Sequence, residues 1–210
     1  MDRFKAAVVS SVFAFAFFGI GCASTGEKTL DSFSRTRANV SESRAQVGDT
    51  LTALRIMRMA RGDGLKEAYQ HYKKSVDKLE KSEVEAKQRA LALKEQADTH
   101  IQEWEAEMKS VKDAQIKASL ESRRQAVRSN FKLVQMYADD VSKAYGPFIS
   151  GNKDIVQALS IDLSAAGISN LGPSMERVMD DGTALDQKLW SMQQSLDNIA
   201  NGISPLGNMQ

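Results

Sequence analysis

From Leu30 to Tyr145 the chain is almost without helix breakers: Gly48, Gly62 and Gly64 are the glycines, and there is no proline. Apolar residues in this stretch recur at three- and four-residue steps, the spacing of a helix face, with no alternating strand-like run. Leu65, Tyr69, Tyr72, Val76 and Leu79 step by 4, 3, 4 and 3. Ala86, Ala90, Leu93 and Ala97 continue the count with Glu83 inside the seam; Ile101 follows after another 4, and Trp104, Met108 and Val111 resume the pattern. This is a heptad seam with one stutter, which locally unwinds a left-handed supercoil. It predicts a helix over about 65–111, roughly 70 Å long, too long to bury a face without partners. Asp77/Lys81, Glu83/Lys87, Glu85/Arg89 and Glu105/Lys109 place acid before base at i,i+4 along it, the better orientation.

A preceding helix over about 31–61 carries Val40, Val47, Leu51 and Leu54, with Ile56, Met57 and Met59 as core filler, and stops at Gly62-Asp63-Gly64. A third helix carries Leu120, Val127, Phe131, Val134, Ala138, Val141, Tyr145 and Phe148, with Arg124 in a polar slot. The register fails between Val111 and Leu120, which places a turn near 112–117. A hairpin there brings Arg124 beside Trp104 and Glu105, so a cation–π or ion-pair contact is expected across the seam. Gly146-Pro147 predicts a kink or restart, because proline lacks the amide donor and clashes with the preceding turn. Ile149, Ile155, Val156, Leu159 and Leu163 continue the face, 167–172 reads as a loop, and Pro173 opens a last helix. That helix uses Met175, Val178, Met179, Leu185, Leu189, Met192, Leu196 and Ile199, and Asn201-Gly202 ends it. The expected fold is all-α: an elongated helical bundle built on a long antiparallel coiled-coil hairpin, with the first and last helices packed along it.

The N-terminus changes the picture from fold to location. Arg3 and Lys5 precede an uncharged, largely apolar run from Ala6 to Ile20, the layout of an export signal. Fifteen residues fall short of the roughly 20 that span a bilayer. The chain's single cysteine, Cys22, sits where the run ends, and Gly19-Ile20-Gly21-Cys22 resembles a bacterial lipobox with Gly19 in place of the usual Leu. The resemblance implies diacylglyceryl attachment to the Cys22 thiol, cleavage before it and acylation of the new amine, the two-signal arrangement that durable anchoring requires. Ala23-Ser24, without Asp after the cysteine, points to the periplasmic face of the outer membrane. The expected organisation is a signal peptide over 1–21, a lipidated tether over 22–30, a helical coiled-coil domain over 31–202 and a flexible tail over 203–210.

Charge excludes one class of partner. The chain carries 28 Lys+Arg against 27 Asp+Glu, and losing Arg3, Lys5 and Asp2 with the signal cancels the difference. No basic stripe offers counterion release to nucleic acid. One cysteine and two histidines cannot make a structural zinc site or a disulfide framework. His71 and His100 lie 29 positions apart on one predicted helix and read as exposed or seam-edge residues. No nucleophile has a positioned base, and Gly62-Asp63-Gly64 lacks the Lys-Ser/Thr of a phosphate loop. Glu103/Glu105/Glu107, Asp139-Asp140 and Asp180-Asp181 read as solvated surface. No catalytic residue, cofactor or metal is assigned, and Cys22 is the one residue given a chemical role, lipid attachment.

Trp104-Glu105-Ala106-Glu107 in a long charged helix, Ser119-Leu120 and the Arg123-Arg124 helix, then Pro147 and the Leu159, Leu163, Ala165-Ala166, Ile168, Leu171 segment together resemble the bacterial domain-of-unknown-function 2959 family over roughly 30–200. That resemblance implies an exported, often lipobox-bearing helical protein and no activity. Two functions are expected candidates. The first is a non-enzymatic, lipid-anchored envelope protein presenting a coiled-coil surface to an envelope protein or to itself. The second is a periplasmic module for a small apolar ligand or lipid, with a pocket opened by Phe148, Ile149, Met175, Met179, Trp190 and Met192.

Overall fold

The computed structural model describes residues 20–203, and the side chains of 34–198 except 90, 93 and 96. Five helices follow in order: α1 (Ile20–Met59), α2 (Gly64–Met108), α3 (Ala114–Ile161), α4 (Ala165–Asn170) and α5 (Gly172–Ile203). Among the described residues there is no strand. The fold is an all-α helical bundle. α1 packs on α2 and α5, and α3 packs on α2 and α5, so the four long helices form a closed square of antiparallel neighbours.

The core is continuous at the end where α1 turns into α2. Leu54, Met57, Tyr72, Leu79, Phe148, Ile155, Leu159, Met175 and Leu185 are fully buried there. Every one of them falls on an apolar stripe read from the sequence. Met57 is core, whereas Ile56 and Met59 are exposed at 45% and 69%, because the stripe admits one position per turn and these two flank it. Gly62 closes the α1–α2 turn with φ +57°, a left-handed conformation open to residues without Cβ.

The register of each helix pair has its own chemistry. Between α1 and α2 it is small hydroxyls: Ser43 Oγ lies 3.3 Å from Ser82 Oγ, and Thr50 Oγ1 3.1 Å from Ser75 Oγ. Between α1 and α5 it is a ladder of ion pairs, Arg37–Asp197 at 2.6 Å, Arg44–Asp186 at 2.9 Å and Arg58–Glu176 at 2.6 Å. Between α2 and α3 a buried amide does it. Tyr72 Oη donates to Asn152 Oδ1 at 2.7 Å, and Asn152 Nδ2 donates to the Phe148 carbonyl at 2.7 Å. At Gly182 of α5 an added Cβ would meet the Phe148 ring at 2.5 Å and Leu51 at 2.7 Å, so its missing side chain lets α5 sit close to α1 and α3.

Several sequence expectations shift. The α2–α3 turn lies at 109–113, not 112–117, because Asp113 caps α3: its Oδ1 accepts from the amides of Gln115 and Ile116, both at 2.9 Å. Pro147 neither kinks the chain into two elements nor restarts it; α3 runs through it. Pro147 is exposed, while Tyr145, Phe148 and Ile149 beside it are buried, and their packing offsets the lost backbone bond. Four of the six residues of the expected 167–172 loop belong to the short α4, capped by Ser164 Oγ, which accepts from the Gly167 amide at 3.0 Å. α1 is described from Ile20, so the backbone of 22–30, expected as a tether, is helical. The signal region before Ile20 and the tail after Ile203 lie outside the described residues.

Candidate functional site

The hairpin tip places the residues singled out for contact. Arg124 of α3, little exposed, donates to Glu105 across the seam and to Glu121 on its own helix at 2.7 Å. The Arg124 hydrogen bond is the main reason the Glu121 carboxyl sits below its usual range, with Gln125 adding to it. Glu105 therefore pairs across the hairpin rather than with Lys109, and Asp77 pairs with Lys73 at 2.9 Å rather than with Lys81. Glu83–Lys87 and Glu85–Arg89 form as spaced. The Trp104 ring stands edge-on to His100, centroids 5.7 Å apart and planes at 61°.

His100 departs from its expected exposed or seam-edge position. It is buried, and its Nδ1 has no hydrogen-bond partner. Burial lowers its pKa, and Glu103 and Glu107 oppose that shift. His71 is exposed. His100 and Trp104 lie one turn apart on α2. Among the described residues no group of three or more His, Cys, Asp or Glu could hold a metal ion. No helix among them is long and apolar enough to cross a membrane. The side chain of Cys22 lies outside the described residues.

The site that sequence reasoning missed is a cavity of about 360 Å³ in the middle of the bundle. Thr36, Asn39, Val40 and Ser43 of α1 and Leu189 and Met192 of α5 form its inner wall. Its sides are Glu83 to Ala97 of α2 and Phe131 to Tyr145 of α3. The cause is side-chain volume. Ala86 on α2 and Ala138 on α3 line it at matching heights of the antiparallel register, where the core nearer the α1–α2 turn has Tyr72, Leu79 and Phe148. A closed, dry void of this size would cost about 9 kcal/mol, so it matters that this one is partly open to solvent. Leu91, 65% exposed, lines it with Lys87 and Lys94.

Tyr145 Oη, at the inner end, is buried and makes no hydrogen bond. Burial raises its pKa, and the Ser43 and Ser82 hydroxyls beside it oppose the rise. The pocket expected at the C-terminal helices does not form there. Phe148 and Met175 are sealed in the core, and Trp190 points outward at 51% exposure; of the six residues named, Met192 lines the cavity. Ala86 and Ala138 at seam positions were the available signal: small residues at the same height on neighbouring helices leave a layer unfilled.

No curated protein and no solved structure matches the chain significantly. One family does match, described as "Protein of unknown function (DUF2959)", over residues 23–205. With a match over most of its length, beginning at the residue after Cys22, the chain belongs to that family.

Proposed function

We propose that this chain is a non-enzymatic, lipid-anchored protein of the bacterial cell envelope that presents its helical surface to an envelope partner or to a second copy. The observation that carries the reading is Cys22, the single cysteine, at the end of an apolar run and directly before the family match. The thiol supplies the acylation point, and the periplasmic face of the outer membrane is the proposed location. The surface has material for contact: on α3, Leu133 and Met136 are exposed at 44% and 62%. Isolated exposed apolar residues are ordinary, so the test must find what touches them. A photo-crosslinking residue placed at Met136 in cells, with outer and inner membranes then separated, addresses both halves of the proposal. The reading expects the protein in the outer-membrane fraction and one discrete crosslinked species. Protein in the soluble fraction with no crosslinked band would contradict it.

A second reading is favoured by the cavity: a module that holds an apolar ligand between its helices. Its support is the mostly apolar wall, the small side chains that leave the space, and an opening to solvent.

A further inference from the structure

We infer that the tip of the α2–α3 hairpin, residues 109–117, is a second membrane contact that seats on anionic phospholipid headgroups. The inference rests on the lipid-anchored reading and adds to it the part of the bundle that the anchor holds against the membrane. α1 and α2 run antiparallel, in a register fixed by Ser43 against Ser82 and Thr50 against Ser75. Cys22 lies twenty-one positions before Ser43 on α1, and Glu103 lies twenty-one after Ser82 on α2. The backbone of Cys22 therefore stands level with Glu103. His100, on the same face of α2 as Ser75 and Ser82, is buried, as expected where α1 still lies along α2. The turn at 109–113 is six to ten positions further on, about 9–15 Å beyond Cys22 along the bundle. A headgroup layer is roughly 5–8 Å deep. A diacylglyceryl group on the Cys22 thiol thus carries the tip into that layer and to the acyl boundary, the depth at which amphipathic segments lie.

The tip has the chemistry for that place. Lys109, Lys112 and Lys117 are exposed. Ile116 is exposed at 54%, and Val111 is half-buried in the turn. The single carboxylate of 109–117, Asp113, accepts from the Gln115 and Ile116 amides at 2.9 Å. One layer back, Glu105 is tied to Arg124 and Glu107 is not free. Lysine ammonium groups reach lipid phosphates while their stems lie against apolar surface, and each one near an anionic surface strengthens binding about fivefold. Composition alone does not single out this end, because Met59 and Arg61 are exposed at the α1–α2 turn. Position does: that turn lies about 55 Å from Cys22 along α1.

The test uses the full-length protein, extracted from membranes and reconstituted on vesicles of phosphatidylcholine and phosphatidylglycerol. With Cys22 acylated, a cysteine introduced by Ile116→Cys or by Met59→Cys is the one free thiol and takes an environment-sensitive dye. Spin-labelled lipids are expected to quench the dye at 116 and to leave the dye at 59 unquenched. Combining Lys109→Gln, Lys112→Gln and Lys117→Gln should weaken the quenching at 116 about tenfold with helicity unchanged. Vesicles of phosphatidylcholine alone should weaken it to a similar degree.

Vesicle-bound protein whose dye at 116 is quenched no more than the dye at 59 overturns the inference and leaves the anchor standing. Quenching at 116 that ignores both the lysine variant and the loss of phosphatidylglycerol overturns the assignment to anionic headgroups. A chain that carries no acyl group and stays off the vesicles removes the anchor and the tip contact together.

Discussion

Tyr72 and Asn152 are the polar pair on which the α2–α3 register depends. Both are buried, and desolvation pushes the Tyr72 phenol well above its ordinary pKa, so it remains a neutral donor. Tyr72→Phe leaves Asn152 Oδ1 without its 2.7 Å donor and should cost about 1–3 kcal/mol, read from the urea midpoint. The double variant Tyr72→Phe/Asn152→Leu, which removes both partners, should recover much of that loss. His100 makes a second residue-level prediction. Its folded pKa lies below the usual value because burial penalises the charged form. The unfolded chain therefore binds the proton first, and stability, full above about pH 6.5, falls as pH drops toward the lowered folded value. Thermal unfolding between pH 7.5 and 5 should show this fall, and His100→Phe should flatten it in that window. Both residues show why residue-scale roles are hard to read: Asn152 interrupts the apolar positions between Ile149 and Ile155, and His100 reads as an exposed or seam-edge position. Which polar residue is buried depends on what faces it from another helix.

At the scale of elements, the heptad count located α2 and α3 within a few residues, because a period sustained over many turns averages out local exceptions. It did not reveal the α1–α5 pairing. Arg37, Arg44 and Arg58 meet Asp197, Asp186 and Glu176 across more than a hundred residues, and no local spacing encodes that. The element ends were set by caps that periodicity ignores. Asp113→Ala should remove the cap of α3 and cost about 0.5–2 kcal/mol, measured as a lower denaturation midpoint. Pro173 opens the last helix as expected, whereas Pro147 misled because a helix retains an exposed proline when its neighbours are buried. Gly182→Ala tests the close approach of α5: the new methyl would press on Phe148 and Leu51, and the overpacking should destabilise the bundle by about 1–3 kcal/mol, seen as a lower Tm. An unchanged Tm would mean that α5 can shift outward at little cost.

For the whole molecule, composition and periodicity were enough for an all-α bundle because each long helix carries an apolar stripe that demands a partner. The cavity was not read, although its alanines were counted. A small residue in a seam signifies close packing in one layer and empty space in another, depending on how far apart the helices are held there. Here Ala86 and Ala138 line a cavity, whereas Tyr72, Leu79 and Phe148 fill the core nearer the α1–α2 turn. The proposed function rests on the N-terminus, where a signal-like run and one cysteine stand next to a match to a family of unknown function. The central claim is that this bundle is tied to a membrane through Cys22. Intact-mass analysis of the membrane-extracted protein, beside a Cys22→Ala variant, tests it most directly. The account predicts a chain that begins at Cys22 with the added mass of its acyl groups, a species absent from the variant. A chain that begins elsewhere and carries no lipid would contradict it.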